Sequence, residues 1–75
     1  MGQEVFENAP DWAQWFAIDR NGDGYFYSHK PEPSTSFLEW FSDHNENFNA
    51  QYLDRFDLTG IDWRTTLIER QTPQQ

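Results

Sequence analysis

Two apolar, strand-favouring runs flank the segment Arg20-Asn21-Gly22-Asp23-Gly24. Trp15-Phe16-Ala17-Ile18-Asp19 precedes it and Tyr25-Phe26-Tyr27-Ser28-His29 follows it. Asn-Gly and Asp-Gly between such runs are the strongest short-range signal for an antiparallel hairpin, because a tight turn needs residues that accept positive φ. The pattern predicts a hairpin over about 15–29. Pro31 and Pro33 are expected to end its second strand, since proline has no N–H to give to a ladder. Strand alternation puts Tyr25 and Tyr27 on one face and Phe26 on the other.

The rest of the chain must cover that hairpin with an unusual set of side chains. Fourteen residues are Phe, Trp or Tyr, against eight Ile, Leu and Val, and there is no cysteine among the 75 residues. One small domain is expected, with its core over about 10–70 and no disulfide or thiolate metal site to staple it. Residues 1–9 and 71–75 are polar enough to read as loosely ordered. Phe37, Phe41, Phe48, Tyr52 and Phe56 recur at spacings of four and seven, which suits a helix face. Ser36 with Glu39 and Asp43 with Glu46 resemble capping boxes, yet Ser36 to Ser42 also suits a strand. The expectation is a third strand at about 36–42, a helix at about 44–56 started by Asp43, and a short C-terminal helical turn after Asp62. Asp11-Trp12 and Asp62-Trp63 echo one another, each an Asp in cap position ahead of a Trp. The predicted fold class is therefore α+β: a small twisted antiparallel sheet packed by one helix.

Thirteen Asp and Glu against five Lys and Arg give a formal net charge of −8. A chain so negative is repelled by phosphates, so direct nucleic-acid binding is disfavoured. Aromatic abundance argues against disorder. No apolar run approaches the ~18 residues of a membrane span. The acidic surplus is uneven: up to Asp19 there is no basic residue, and from Glu39 to Asp57 only Arg55. A negative face that docks onto the basic surface of another protein is the sharper reading, with imitation of DNA as its extreme form. The candidate contacts are Asp43, Glu46, Asp54 and Asp57, with Tyr25 and Tyr27 as aromatic anchors.

Other chemistry is weaker. Asp19, Asn21 and Asp23 with Gly24 match the opening half of an EF-hand loop, where alternate oxygens would converge on calcium. Position twelve of that loop is Lys30 instead of a carboxylate, and Pro31 stands where an exiting helix should run. His29 and His44 have no neighbour at metal-ligand spacing, and no serine lies in a nucleophile-elbow context. No enzyme activity, metal or cofactor is expected, and calcium is kept only as an alternative.

Several of these residues together resemble a pattern found in small, mostly uncharacterised tailed-phage proteins. They are Asp11-Trp12-Ala13, Ala17-Ile18-Asp19, Asp23-Gly24, Tyr25-Phe26-Tyr27, Lys30-Pro31-Glu32, Trp40, and Asp62-Trp63-Arg64 with Leu67-Ile68-Glu69-Arg70. The shared pattern runs W-A…D-x-D-G-x-x-Y…K-P…W…W-x-x-S-L-x-x-R. This chain departs from it in ending Arg70-Gln71-Thr72-Pro73 and in a longer Asn-rich insert from Asp43 to Asp57. The resemblance implies phage origin and a place in the bacterial host cytoplasm, and it implies no catalytic residue. The expected function is a phage-encoded acidic protein that binds and inhibits a host protein with a basic surface, such as a nucleic-acid-handling or defence enzyme. The alternatives are a calcium-binding module and a homo-oligomeric structural or virion component.

Overall fold

The computed structural model describes residues 2–42 and 47–71. Strands β1 (Trp15–Ile18) and β2 (Asp23–Tyr27) form the predicted hairpin. Its register sets Phe16 opposite Phe26 and Ile18 opposite Gly24. The turn closes through Asp19 N donating to Asp23 O (2.9 Å) and Gly22 N to Asp19 O (2.8 Å). Gly22 takes φ +98° there.

This hairpin is the centre of everything else, because both of its faces are apolar. Phe16, Ile18 and Phe26 look to one side and join Phe6 and Ala13 in a buried cluster. Ala17 and Tyr27 look to the other and join Trp40 and Trp63. A sheet buried on both faces needs a cover on each, so the chain forms three layers. On the first face the cover is a 3-10 turn, Gln3–Phe6, with Phe6 against Phe26 at 5.8 Å between ring centroids. The segment that composition marked as loose thus supplies a core residue, which is 4% exposed. Burying such a ring is worth roughly 1.5–3 kcal/mol.

The second face is covered by a separate two-stranded sheet, β3 (Glu32–Ser34) with β4 (Glu39–Phe41). The strand expected at 36–42 is therefore shorter, and it pairs with β3 instead of extending the 15–29 hairpin. Pro33 lies inside β3, opposite Trp40. A two-stranded ladder has an outer edge, where a missing N–H costs nothing.

The helix expected at 44–56 is not formed. Among the described residues the only helical segments are two 3-10 turns, and 50–55 is a strand, β5 (Ala50–Arg55), paired with β2. Asp43 and Glu46, the proposed cap, lie outside the described residues. A spacing of four is one helical turn, but it is also two strand periods, so Phe48 and Tyr52 share a face in either state. Phe48, just ahead of the strand, stacks on Tyr27, and Tyr52 within it meets Tyr25. An irregularity opposite Gly24/Tyr25 inserts one extra residue, Leu53, into β5. Such a bulge reverses the phase of alternation. Phe56 is thereby turned to the first face, where it meets Phe16 edge-on at 5.6 Å. The α+β assignment gives way to a mostly-sheet fold because β2 has an open ladder edge that β5 satisfies.

The C-terminal turn is a 3-10 turn, Trp63–Thr65, with the Asp62 side chain accepting from Arg64 N (3.0 Å) as its cap. The chain then runs as β6 (Ile68–Glu69) beside β1, completing the order β5-β2-β1-β6. Gln3 reaches this last strand, its Nε2 donating to Glu69 O and its Oε1 accepting from Gln71 N. At the opposite edge, Asp54 Oδ1 accepts from Arg55 N. With the bulge, this blunts β5 against pairing with another chain.

A Cβ on Gly22 would stand 2.4 Å from the carbonyl oxygen of Phe56, whereas one on Gly60 (φ +78°) would meet nothing within 4 Å. Both positions carry the strain of left-handed backbone, and only the first adds a collision with fixed main chain. Gly22→Ala is expected to lower stability by about 2–4 kcal/mol and Gly60→Ala by about 1 kcal/mol. Urea midpoints at unchanged slope would show the difference; equal losses would contradict the assigned packing of the turn on β5.

Candidate functional site

Where β4 crosses the second face of the main sheet, it leaves an open trough of about 310 Å³. Tyr25 and Tyr27 of β2 floor it, Trp40 and Phe41 of β4 wall it, and Phe48 closes one end. Among the described residues, the charged side chains at the trough are both carboxylates, Asp19 and Glu39.

Asp19, Trp40, the two tyrosines and Phe48 are held by traceable interactions. Asp19 ends β1, is 8% exposed, and its Oδ1 accepts the backbone N–H of Trp40 at 2.8 Å. The Trp40 indole Nε1–H in turn donates to Ile18 O at 2.9 Å. Two hydrogen bonds thus fix the main chain and the ring of Trp40 to the end of β1, and Trp63 packs edge-on behind that ring at 5.9 Å. Tyr25 and Tyr27 are 6.3 Å apart, Tyr27 stacks with Phe48 at 6.2 Å, and Tyr25 meets Tyr52 edge-on at 5.6 Å. Tyr27 is buried, Tyr25 half-buried and Tyr52 exposed.

The electrostatics of the trough are one-signed. Burial pushes the Asp19 carboxyl up to about 6; the Trp40 N–H opposes this, and the charges of Glu39 and Asp23 add to it. Burial raises the Tyr25 and Tyr27 phenols as well, and the negative charges around them push the same way, Asp23, Asp19 and Glu39 on Tyr25 and Asp19 and Glu39 on Tyr27. The phenols are raised first by burial, and the carboxylates that add to it place negative charge beside the aromatic walls.

The contacts expected from sequence are only partly gathered here. Tyr25 and Tyr27 are brought together, while Asp43 and Glu46 lie outside the described residues. Asp54 stands opposite Gly24, whose open side faces Phe16, so it is carried on the other face of the sheet. Asp57 lines a different pocket with Ile18 and Phe56, and its carboxylate is held below its usual range by the Thr59 hydroxyl and N–H. Glu39 and Trp40 are not legible as contacts in the sequence, since only the packing of β4 on β1 brings them beside the tyrosines.

The calcium loop takes another form. Strands flank it where an EF-hand has helices. Asp19 is turned to Trp40, and Asn21 and Asp23 are bonded to each other, Asn21 Nδ2 donating to Asp23 Oδ2 and Asn21 Oδ1 accepting from Asp23 N. Among the described residues no group of three or more His, Cys, Asp or Glu could hold a metal ion. No helix among them is long and apolar enough to cross a membrane. No family model, curated protein or solved structure matches the chain.

A carboxyl raised in the folded state binds its proton more tightly there than in the unfolded chain. Asp19 therefore contributes stability that is present below about pH 4 and lost as pH rises through about 6. Asp19→Asn keeps an oxygen for the Trp40 N–H and removes the charge, so its stability should lack this fall between pH 4 and 7. Asp19→Ala orphans a buried N–H and is expected to be about 1–3 kcal/mol less stable than Asp19→Asn at every pH. Urea titrations of the three proteins at pH 4, 5.5 and 7 test this; a parallel pH profile for wild type and Asn would contradict it.

Proposed function

We propose that this chain is a phage-encoded acidic binding protein that docks onto the basic surface of a host protein and blocks it. The observation that carries the reading is the convergence of Asp19 and Glu39 with aromatic side chains in one open trough on a chain of net charge −8. Exposed aromatics adjoin it: Phe41 of its wall is 44% exposed, and Tyr52, edge-on to Tyr25, is 50% exposed. Aromatic anchors beside unneutralised carboxylates make a surface that attracts a basic partner at long range and grips it at contact. The uneven charge of the sequence supports the same reading, as does its resemblance to tailed-phage proteins. A host enzyme that handles nucleic acid, or one of defence, presents the required basic surface, and the bacterial cytoplasm is where the two would meet.

DNA imitation in the strict sense asks for carboxylates spaced along a length, about one charge per 1.7 Å. The described carboxylates are divided between two faces of the sheet, so blocking by a compact aromatic-acidic patch is the better form of the proposal.

Immobilised protein incubated with bacterial cytoplasmic extract should retain proteins of basic surface. They should be released as salt approaches 1 M, where the Debye length is about 3 Å. Duplex DNA should compete with this protein for them. The double variant Glu39→Lys/Tyr52→Ala, altered at two exposed positions, should retain at least tenfold less. Retention that is insensitive to salt and to this variant would refute the charge-led reading.

A further inference from the structure

We propose that the trough between β2 and β4 is a receptor for one arginine side chain of the partner, its guanidinium stacked on the aromatic walls and hydrogen-bonded by the Asp19 and Glu39 carboxylates. This rests on the reading of the protein as a ligand for a basic surface, and it names the residue that surface contributes.

Shape, charge and hydrogen-bonding capacity select this occupant. The space of about 310 Å³ is open on one side, as a side chain entering from another molecule requires. Its walls are the flat faces and edges of Trp40, Tyr25, Tyr27 and Phe48, and a guanidinium is the cation that stacks on such rings while leaving its N–H groups free in plane. Those donors need acceptors. Asp19 spends Oδ1 on the Trp40 N–H and has a second carboxylate oxygen, and Glu39 brings an exposed carboxylate to the same space. No cation of the described chain lines the trough.

The chain uses the same arrangement within its own fold. The Arg70 guanidinium carbon lies 5.5 Å from the centre of the Phe6 ring, while its Nη1 donates to Pro10 O and Ala13 O at 3.1 and 3.0 Å. Lys30, by contrast, rests over Trp15 at 5.7 Å on the surface. A lysine entering the trough would satisfy the charge but could not present a planar fork to two carboxylates.

The probes are three blocked tripeptides, glycine–X–glycine with arginine, lysine or citrulline as X, followed by amide NMR and tryptophan fluorescence. The arginine peptide should shift the Trp40 indole N–H and the amides of Tyr25 and Tyr27, with a Kd of about 1 mM. Lysine should bind several-fold more weakly and citrulline not measurably. Glu39→Gln and Asp19→Asn, which keep the side-chain shape but remove the charge and turn one acceptor into a donor, should each weaken arginine binding about tenfold while the folded spectrum is unchanged.

Equal binding of arginine and citrulline, equal binding of arginine and lysine, or shifts confined to residues outside the trough would each overturn the assignment. If the arginine peptide fails while salt-sensitive retention of basic proteins persists, the trough assignment falls and the wider reading stands. If the peptide binds as expected and no basic protein is retained, the trough is an arginine site and the wider reading falls.

Discussion

The structure depends on the join between the end of β1 and Trp40. Asp19 accepts the Trp40 backbone N–H and Ile18 O accepts the indole N–H, so one residue of the small sheet is fixed to the large one at two points. Without that join the β3–β4 ladder would be an isolated two-stranded hairpin, which is marginal in water. The second face of the central hairpin, with Ala17 and Tyr27, would then lose its cover. The trough exists for the same reason: β4 is held at its central residue, Trp40, and the space beside Tyr25 and Tyr27 is what the crossing leaves open.

What was legible in the sequence follows the range of the interactions. The 15–29 hairpin could be read because its turn chemistry and its alternation are local, and the Asp62 cap could be read for the same reason. Phe6 against Phe26 could not, since nothing in a polar N-terminal stretch shows that a distant ring lacks a neighbour. The segment after Ser42 misled for a definite physical cause. A period of four in Phe48, Tyr52 and Phe56 fits a helix face, but here it is a strand interrupted by one bulged residue. The free ladder edge of β2 decides between the two, and that edge is not visible in the 44–56 window.

The candidate site divides in the same way. Tyr25 and Tyr27 were marked as a pair by alternation alone. Asp19 was noticed for a calcium motif and serves in a hairpin turn and a clamp. Glu39 was one acid in a run until β4 placed it opposite the tyrosines. Asp54 and Asp57 look like the same acidic run in sequence, but the phase reversal at Leu53 turns Asp54 to the other face, and Asp57, beyond the end of β5, lines a different pocket. A count of charges along the chain therefore overstates the single negative face and understates the small place where charge and aromatic surface meet.

That place also bears a cost the rest of the surface does not. Asp19 keeps a carboxylate in a buried position whose neighbours include Glu39 and Asp23, and its raised pKa is the sign that the folded state resists the charge. An Asn would accept the Trp40 N–H equally well, so the hydrogen bond by itself does not explain the carboxylate. Leu38, immediately before Glu39, holds φ +57°, a conformation a leucine adopts only under constraint. The first cost diminishes if a cation enters the trough, since it stabilises the ionised form of Asp19. By linkage, any ligand that binds only the folded form stabilises that form. A cationic group in the trough would do so more strongly at pH 7 than at pH 5, where Asp19 is largely protonated.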